Sequence, residues 1–192
     1  MKIAGIDYSI NCPCVCVFDT KEQFNFLNCS FYIAQNGLSQ KESKRRKSLQ
    51  LENIFLTEQF NIKHNEQQRF FFLADWTLSI LLENDVEHVG MEAYSMNSKG
   101  KVFNIAEATG LLKHQLFLSS ILFDLFPPTV IKKLWSGKGN AGKDLMCEEF
   151  TKQTNIKINE ILGIESLTNS PCSDIVDSMA VCHTLLKSME DN

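Results

Sequence analysis

Lys2-Ile3-Ala4-Gly5-Ile6-Asp7 is an apolar run that ends in a carboxylate and predicts a core strand. A second apolar run, His88-Val89-Gly90-Met91, ends in Glu92, and Asp174 and Asp177 stand at the start of a predicted C-terminal helix. An acid at the end of a core strand can point into a cleft, and helix residues three apart share one face. The sequence therefore predicts that four carboxylates from three elements converge.

Carboxylate oxygens are the ligands that hard cations prefer, so these acids predict a site for Mg²⁺, with Mn²⁺ able to substitute. Two such ions about 3.5–4 Å apart can activate water and stabilise the leaving oxygen of a phosphodiester. Asp174 alone is also explained as a helix-start acid with Ser173 as the N-cap, and a strand-end acid can be an ordinary turn residue. Neither explanation accounts for all four acids, so we expect two metal ions per site.

Length and composition indicate one domain over residues 1–192, because 192 residues with 44% hydrophobic content can form one packed core. No apolar run approaches the roughly 20 residues that span a membrane, and the N-terminal residues lack a signal-peptide pattern. We therefore expect an intracellular protein without a membrane association. Seven cysteines in such a protein are expected to remain thiols.

Basic residues are grouped, although the net charge of −4 argues against a uniformly basic nucleic-acid binder. Residues 35–64 lack clear periodicity and predict a loop or an inserted short helix that carries the densest cationic run. A second group of lysines follows the proposed catalytic strands. Any single lysine is explained by solubility, but the grouping favours phosphate contacts. The predicted DNA-binding residues are Lys44, Arg45, Arg46, Lys47, Lys99, Lys101, Lys138 and Lys143.

The order of predicted elements is strands first, then alternating helices and strands. Strands are predicted at about 2–7, 12–19 and 24–34, at 88–92 and at 123–126, and Asn65 with Gln68 resembles a capping box for a helix through about 84. Further helices are predicted at about 102–123, 129–135, 142–153 and from 173. This order predicts an α/β fold with a central mixed five-stranded sheet, an antiparallel three-strand meander plus parallel strands, flanked by helices.

This arrangement is ribonuclease H-like, and within that superfamily the chain resembles RuvC-type Holliday junction resolvases, particularly compact phage versions. The resemblance spans nearly the whole chain, although residues 36–65 are longer and more charged than expected. It is carried by Gly5-Ile6-Asp7 with Ser9, by Met91-Glu92 before a polar loop and long helix, by the stretch from Pro128 to Lys143, and by Asp174-Ile175-Val176-Asp177-Ser178-Met179-Ala180.

The resemblance implies that Asp7 is the shared metal ligand, that Glu92 and Asp174 bind opposite sides of the metal pair, and that Asp177 completes the cluster. It also implies a catalytic phosphate contact by Lys143, with Lys138 as the second candidate. The expected substrate is a four-way or related branched DNA junction in the cytoplasm of a bacterium or phage-infected cell. Paired cuts imply a homodimer, for which the helix at about 102–123 is the expected surface.

Two other functions share parts of this pattern. A ribonuclease H-like nuclease acting on RNA–DNA hybrid or flaps would use the same metal site with different shape recognition. A non-catalytic junction-binding protein would keep the fold without turnover, and the presence of all four acids argues against it.

A glycine-rich stretch, three alternating cysteines and a histidine are further candidates for binding sites. Residues 137–143 satisfy the start of a nucleotide-binding P-loop, but Asp144 replaces the expected Ser or Thr and the preceding segment looks helical, so no nucleotide cofactor is expected. Alternating Cys12, Cys14 and Cys16 lie on one strand face, where buried packing is favoured over a metal site. Packing is likewise expected for His183.

Overall fold

A computed structural model describes residues 1–34, 52–57, 65–94 and 102–191. Its centre is one mixed sheet in the spatial order β4-β3-β2-β1-β5-β6. The strands are β1 (Lys2–Asp7), β2 (Cys14–Asp19), β3 (Cys29–Ala34), β4 (Ile54–Thr57), β5 (Val86–Glu92) and β6 (Leu122–Phe126). Strands β1, β2 and β3 form an antiparallel meander, whereas β4, β5 and β6 each run parallel to an inner neighbour.

The sheet confirms the mixed α/β prediction, but the count of five strands was wrong. The additional strand is β4, which pairs with β3 inside the region predicted to be a loop or inserted helix. Four residues are too few for an alternating pattern to distinguish a strand from a loop, and their pairing depends on a partner elsewhere in the chain. The basic run at Lys44, Arg45, Arg46 and Lys47 lies outside the described residues.

Six α-helices and one short 3-10 helix, Phe26–Asn28, accompany the sheet within the described ranges. The α-helices are α1 (Glu66–Glu83), α2 (Val102–Leu118), α3 (Pro128–Ser136), α4 (Lys143–Thr154), α5 (Ile158–Leu162) and α6 (Cys172–Glu190). The capping box at Asn65 and Gln68 is confirmed. Helix α2 ends earlier than predicted, because Ser120 adopts a left-handed conformation and β6 follows. None of the described helices is long and apolar enough to cross a membrane.

The helices cover the two faces of the sheet. Alternate β1 residues separate accordingly: Ala4 and Ile6 pack on the side of α1 and α2, whereas Ile3 packs on the side of α3 to α6. Asp7 has the parity of Ile3, so its side chain lies on the α6 face. The acid at the end of β1 is thereby directed towards the helix that carries Asp174 and Asp177.

Helix α6 crosses the sheet in close contact with two paired glycines. Gly5 on β1 lies opposite Gly90 on β5. A Cβ atom at Gly5 would stand 2.1 Å from the backbone nitrogen of Cys182 and 2.4 Å from the carbonyl oxygen of Ser178. Only glycine permits this approach. Because Asp7 and Glu92 each follow these glycines by two residues, both acids emerge on the face that α6 occupies.

Candidate active site

Three elements bring the predicted acids to one end of the α6 face. Asp7 ends β1, Glu92 ends β5, and Asp174 and Asp177 lie in the opening turns of α6. Desolvation raises the pKa of Asp7 well above its usual range, and the negative charges of the other three acids raise it further. The four carboxylates therefore act on one another electrostatically, as expected for a shared cleft.

The four carboxylates differ in how far they are exposed to solvent. Asp174 is buried, Asp7 and Asp177 are partly buried, and Glu92 is exposed. Burial raises the pKa of Asp177 to about 6, with Glu92 and Asp174 adding to the rise and Lys143 opposing it. Partial burial also raises the pKa of Glu92, and the charge of Lys132 opposes that effect. Concentrated negative charge with one open side is an environment that favours a bound cation.

Asp174 provides a direct test of whether a cation fits. Its side chain is only 6% exposed, and its Oδ2 atom is buried without a hydrogen-bond partner. A buried carboxylate oxygen without a partner is costly unless a proton or a metal ion satisfies it. Within the described ranges, no group of three or more His, Cys, Asp or Glu side chains is placed so that it could hold a metal ion together. The donor types and the open oxygen fit a hard divalent cation.

Lys143 lies beside the acids, as its predicted role requires. It begins α4, and its Nζ donates a 3.4 Å hydrogen bond to Ser173 Oγ. Its positive charge opposes the raised pKa values of Asp7 and Asp177. Ser173 is not the N-cap of α6, since Pro171 occupies that position. The hydroxyl instead lies in the first turn, where it anchors the lysine.

Lys132 is a second cation at the cluster that the predicted site residues did not include. It lies on α3, and its charge lowers the pKa values of Glu92 and Asp177. The sequence contained it only as one of several lysines after the strands, because its direction depends on how α3 packs. Lys138 is exposed in the loop after α3, where its backbone contacts Ser136. Lys99 and Lys101 lie outside the described residues.

The glycine-rich stretch between α3 and α4 differs from a P-loop in its context. A helix precedes it, and Gly137 terminates that helix in a left-handed conformation. A P-loop requires a strand at that place. Lys143 is consequently the first residue of a helix that faces the acids.

Cysteine and histidine side chains pack as predicted. Cys12, Cys14 and Cys16 are all buried on the α6 side of the sheet. The His183 ring stacks on Phe24 with centroids 5.2 Å apart, and Trp135 contacts it edge-on. Burial lowers the pKa of His183. This half-buried residue packs against aromatic rings in the middle of α6, six residues after Asp177.

Comparison with known proteins relates this geometry to one group. No family model matches the chain. It is 34% identical over 80 residues to proteins named crossover junction endodeoxyribonuclease RuvC from Chlamydia caviae and Chlamydia abortus. The match covers 38% of this chain, and 43% and 44% of those relatives, which is less than half of either.

The solved structures agree with the sequence relatives. Thermus thermophilus RuvC matches with a TM-score of 0.61 at 16% identity, over 100% of this chain and 97% of that one. The chain is similar to RuvC in sequence and in fold. The T. thermophilus RuvC complex with Holliday junction substrate matches at 0.63 and 16% identity, over 100% of this chain and 96% of that one. The yeast mitochondrial Holliday junction resolvase Ydc2 matches at 0.55 and 15% identity, over 96% and 77%. The RuvC-like fold agrees with the predicted ribonuclease H-like arrangement.

Proposed function

We propose that this protein is a metal-dependent, structure-selective DNA endonuclease whose single nuclease domain resolves four-way junctions by paired symmetric nicks. The convergence of Asp7, Glu92, Asp174 and Asp177 carries the proposal, because each of the other three acids raises the pKa of Asp7. The relatives named RuvC and the RuvC-like fold support branched DNA as the substrate. The chemistry rests on the acids, and the substrate rests on the likeness.

In this proposal the four acids hold two Mg²⁺ ions, or Mn²⁺ in their place. By the resemblance, Asp7 would be the ligand shared by both ions, Glu92 and Asp174 would bind on the two sides, and Asp177 would complete the set. The bound metals supply an activated water and stabilise charge on the phosphate. Glu92 is the exposed member, so the scissile phosphate approaches from its side. The protein needs neither a serine nucleophile nor a covalent intermediate.

Two lysines supply positive charge at fixed positions beside the acids. Lys143 is held by its hydrogen bond to Ser173, and Lys132 extends from α3 towards Glu92 and Asp177. Preorganised positive charge stabilises a phosphate whose negative charge grows during hydrolysis. We propose that both lysines stabilise the transition state of hydrolysis rather than contribute to general affinity for DNA. Lys138 and the predicted basic residues outside the described ranges remain proposed contacts to the phosphate backbone of DNA.

An exposed aromatic residue eleven positions after Glu92 in the sequence is proposed to contact unpaired bases. Phe103 lies in the first turn of α2 and is 84% exposed, so it contributes little to the core. Exposed aromatic rings stack on bases without sequence preference. Tyr94 is less free to do so, because Lys113 Nζ lies 4.6 Å from its ring centroid.

Paired nicks require two sites, and we propose a homodimer formed through the C-terminal half of α2 and the start of β6. Phe117, Leu118 and Leu122 are between 65% and 75% exposed there. Gly110, midway along α2, has no atom within 4 Å of where a Cβ would stand. Sedimentation should show that Phe117→Arg is monomeric, whereas Phe71→Arg on α1 stays dimeric. Equal sedimentation of the two variants would exclude this surface.

The decisive experiment compares cleavage of a labelled four-way junction, linear duplex, flap and RNA–DNA hybrid in Mg²⁺ and in Mn²⁺. Asp7→Asn should abolish symmetric junction nicking. Asp19→Asn is the matched control, because Asp19 ends β2 at the opposite end of the sheet. Cutting of hybrid or flap alone would reject the junction as the substrate, while the proposed metal-dependent chemistry would stand. Junction binding without cutting by folded wild type would favour a binding protein.

A further inference from the structure

Tyr94 and Lys113 form a contact between the end of β5 and α2. The Tyr94 hydroxyl donates a 3.5 Å hydrogen bond to the carbonyl oxygen of Ala106 on α2. Lys113 Nζ donates a 3.2 Å hydrogen bond to the same hydroxyl and lies 4.6 Å from the ring centroid. A cation over the face of an aromatic ring is attracted to it. The Tyr94 ring is therefore docked on α2, and it holds the lysine through both its hydroxyl and its face.

This contact lies close to the proposed metal site. Tyr94 follows Glu92 by two residues, and two residues span at most about 7 Å. Helix α2 packs on the sheet face opposite to α6, whereas the helices that carry Lys132 and Lys143 contact α6. Lys113 therefore places a positive charge beside Glu92 on the face of the sheet that the other two lysines do not cover.

Lys113 is available to bind an anion. None of the ion pairs formed among the described residues includes it. Its ammonium group has three N–H donors, and the hydrogen bond to Tyr94 uses one of them. Tyr94 is 38% exposed, so the contact is open to solvent. A side chain that is already held on a ring loses less conformational freedom when an anion binds to it.

We propose that Lys113, held by Tyr94, binds a backbone phosphate of DNA next to the scissile phosphate. The position beside Glu92 favours a phosphate of the substrate over other anions, and such a contact adds affinity without reading the base sequence. This inference rests on the proposed nuclease function and adds to it a residue that was not among the predicted DNA contacts. Tyr94 is the positioning residue, and Lys113 makes the contact.

The test measures binding of a labelled four-way junction by fluorescence anisotropy, without divalent metal and over a range of sodium chloride concentrations. Lys113→Ala should weaken binding about fivefold or more and reduce the slope of log affinity against log salt by about 1. Lys21→Ala is the matched control, because Lys21 is an exposed lysine in the turn after β2, at the end of the sheet opposite to the acids. It should change neither quantity.

Tyr94→Leu tests the positioning role separately. It should weaken junction binding about threefold and keep the salt slope, because the charge of Lys113 remains but is no longer held on a ring. In the Lys113→Ala background, Tyr94→Leu should have no further effect. An equal effect of Tyr94→Leu with and without Lys113 would overturn the positioning role of Tyr94.

The outcomes separate this inference from the proposed function. Unchanged affinity and salt slope in Lys113→Ala, or equal changes in Lys21→Ala, would overturn the phosphate contact, while the nuclease proposal would stand. Wild type that binds the junction but never cuts it in Mg²⁺ or Mn²⁺ would overturn the nuclease proposal and leave the phosphate contact to be judged by the salt slopes. Wild type that binds no junction would overturn both.

Discussion

Substituting Gly5 by alanine should displace the helix that carries two of the four acids. The added Cβ would stand 2.1 Å from the backbone nitrogen of Cys182, well inside van der Waals contact, so α6 must shift by roughly 1 Å relative to β1. Backbone atoms cannot rotate away as a side chain can. Overpacking of this kind costs about 1–3 kcal/mol, against which the reduced freedom of the unfolded chain returns about 0.4–1 kcal/mol.

The functional effect of Gly5→Ala should exceed its effect on stability. Asp174 and Asp177 move with α6, while Asp7 stays on β1, and a misplacement of about 1 Å at a reacting centre costs on the order of 100-fold in rate. Urea unfolding and single-turnover junction nicking measure the two effects separately.

A graded control is available on the neighbouring strand. Gly90→Ala meets only side-chain atoms, at 3.1–3.3 Å, and those can yield by a few tenths of an ångström. It should therefore retain more activity than Gly5→Ala. A Gly5→Ala variant with the stability and nicking rate of wild type would refute the claim that close packing of α6 sets the geometry of the acids.

Other consequences concern charge. Asp7→Asn should raise the Tm of the metal-free protein and remove the Tm increase caused by Mg²⁺. Burial, and then the negative charges of three neighbours, disfavour the ionised form of Asp7 until a cation binds. A lower metal-free Tm would contradict this. The pKa of Asp177 in the folded protein, about 6, lies above its value in the unfolded chain, so the folded state binds more protons. The free energy of unfolding of the metal-free protein should therefore fall as pH rises from about 4 to 6. An increase of that free energy over the same interval in urea titrations would contradict this prediction. Lys132→Ala should slow nicking about tenfold or more with little change in junction affinity. Lys133 is the exposed neighbour of Lys132, and Lys133→Ala should nick as wild type. Equal effects of the two substitutions would remove the role assigned to Lys132.

The sequence predicted the parts of the site that strand ends and helix starts define. The positions of Asp7, Glu92 and the acids of α6 could be predicted, because each stands where the pattern of hydrophobic residues changes. Strand β4 and the direction of Lys132 are not visible in this way, because each depends on contacts between distant segments. Local periodicity reports which face of an element is apolar, and it does not report which partner covers that face.

The three alternating cysteines of the β2 segment show a similar limit of prediction from sequence. Alternation of Cys12, Cys14 and Cys16 predicted one buried face, and the structure confirms it. The contact of Cys14 with Ser178 on α6 could not be predicted, since it follows from the close approach at Gly5 rather than from any spacing near the cysteines. Glycine spacing in β1 and β5 was a usable signal, because a glycine inside a core strand often marks a close backbone approach.

Assembly of the site from β1 and α6 also orders events during synthesis. The ribosome releases β1 early and α6 only after the five other strands, so a nascent chain can hold Asp7 and Glu92 without Asp174 or Asp177. Contacts between such distant segments form late, since loop closure must come first. An unfinished chain therefore carries only half of the acids that the proposed site needs. If the protein is the proposed nuclease, its capacity to cut would appear only when the last helix docks.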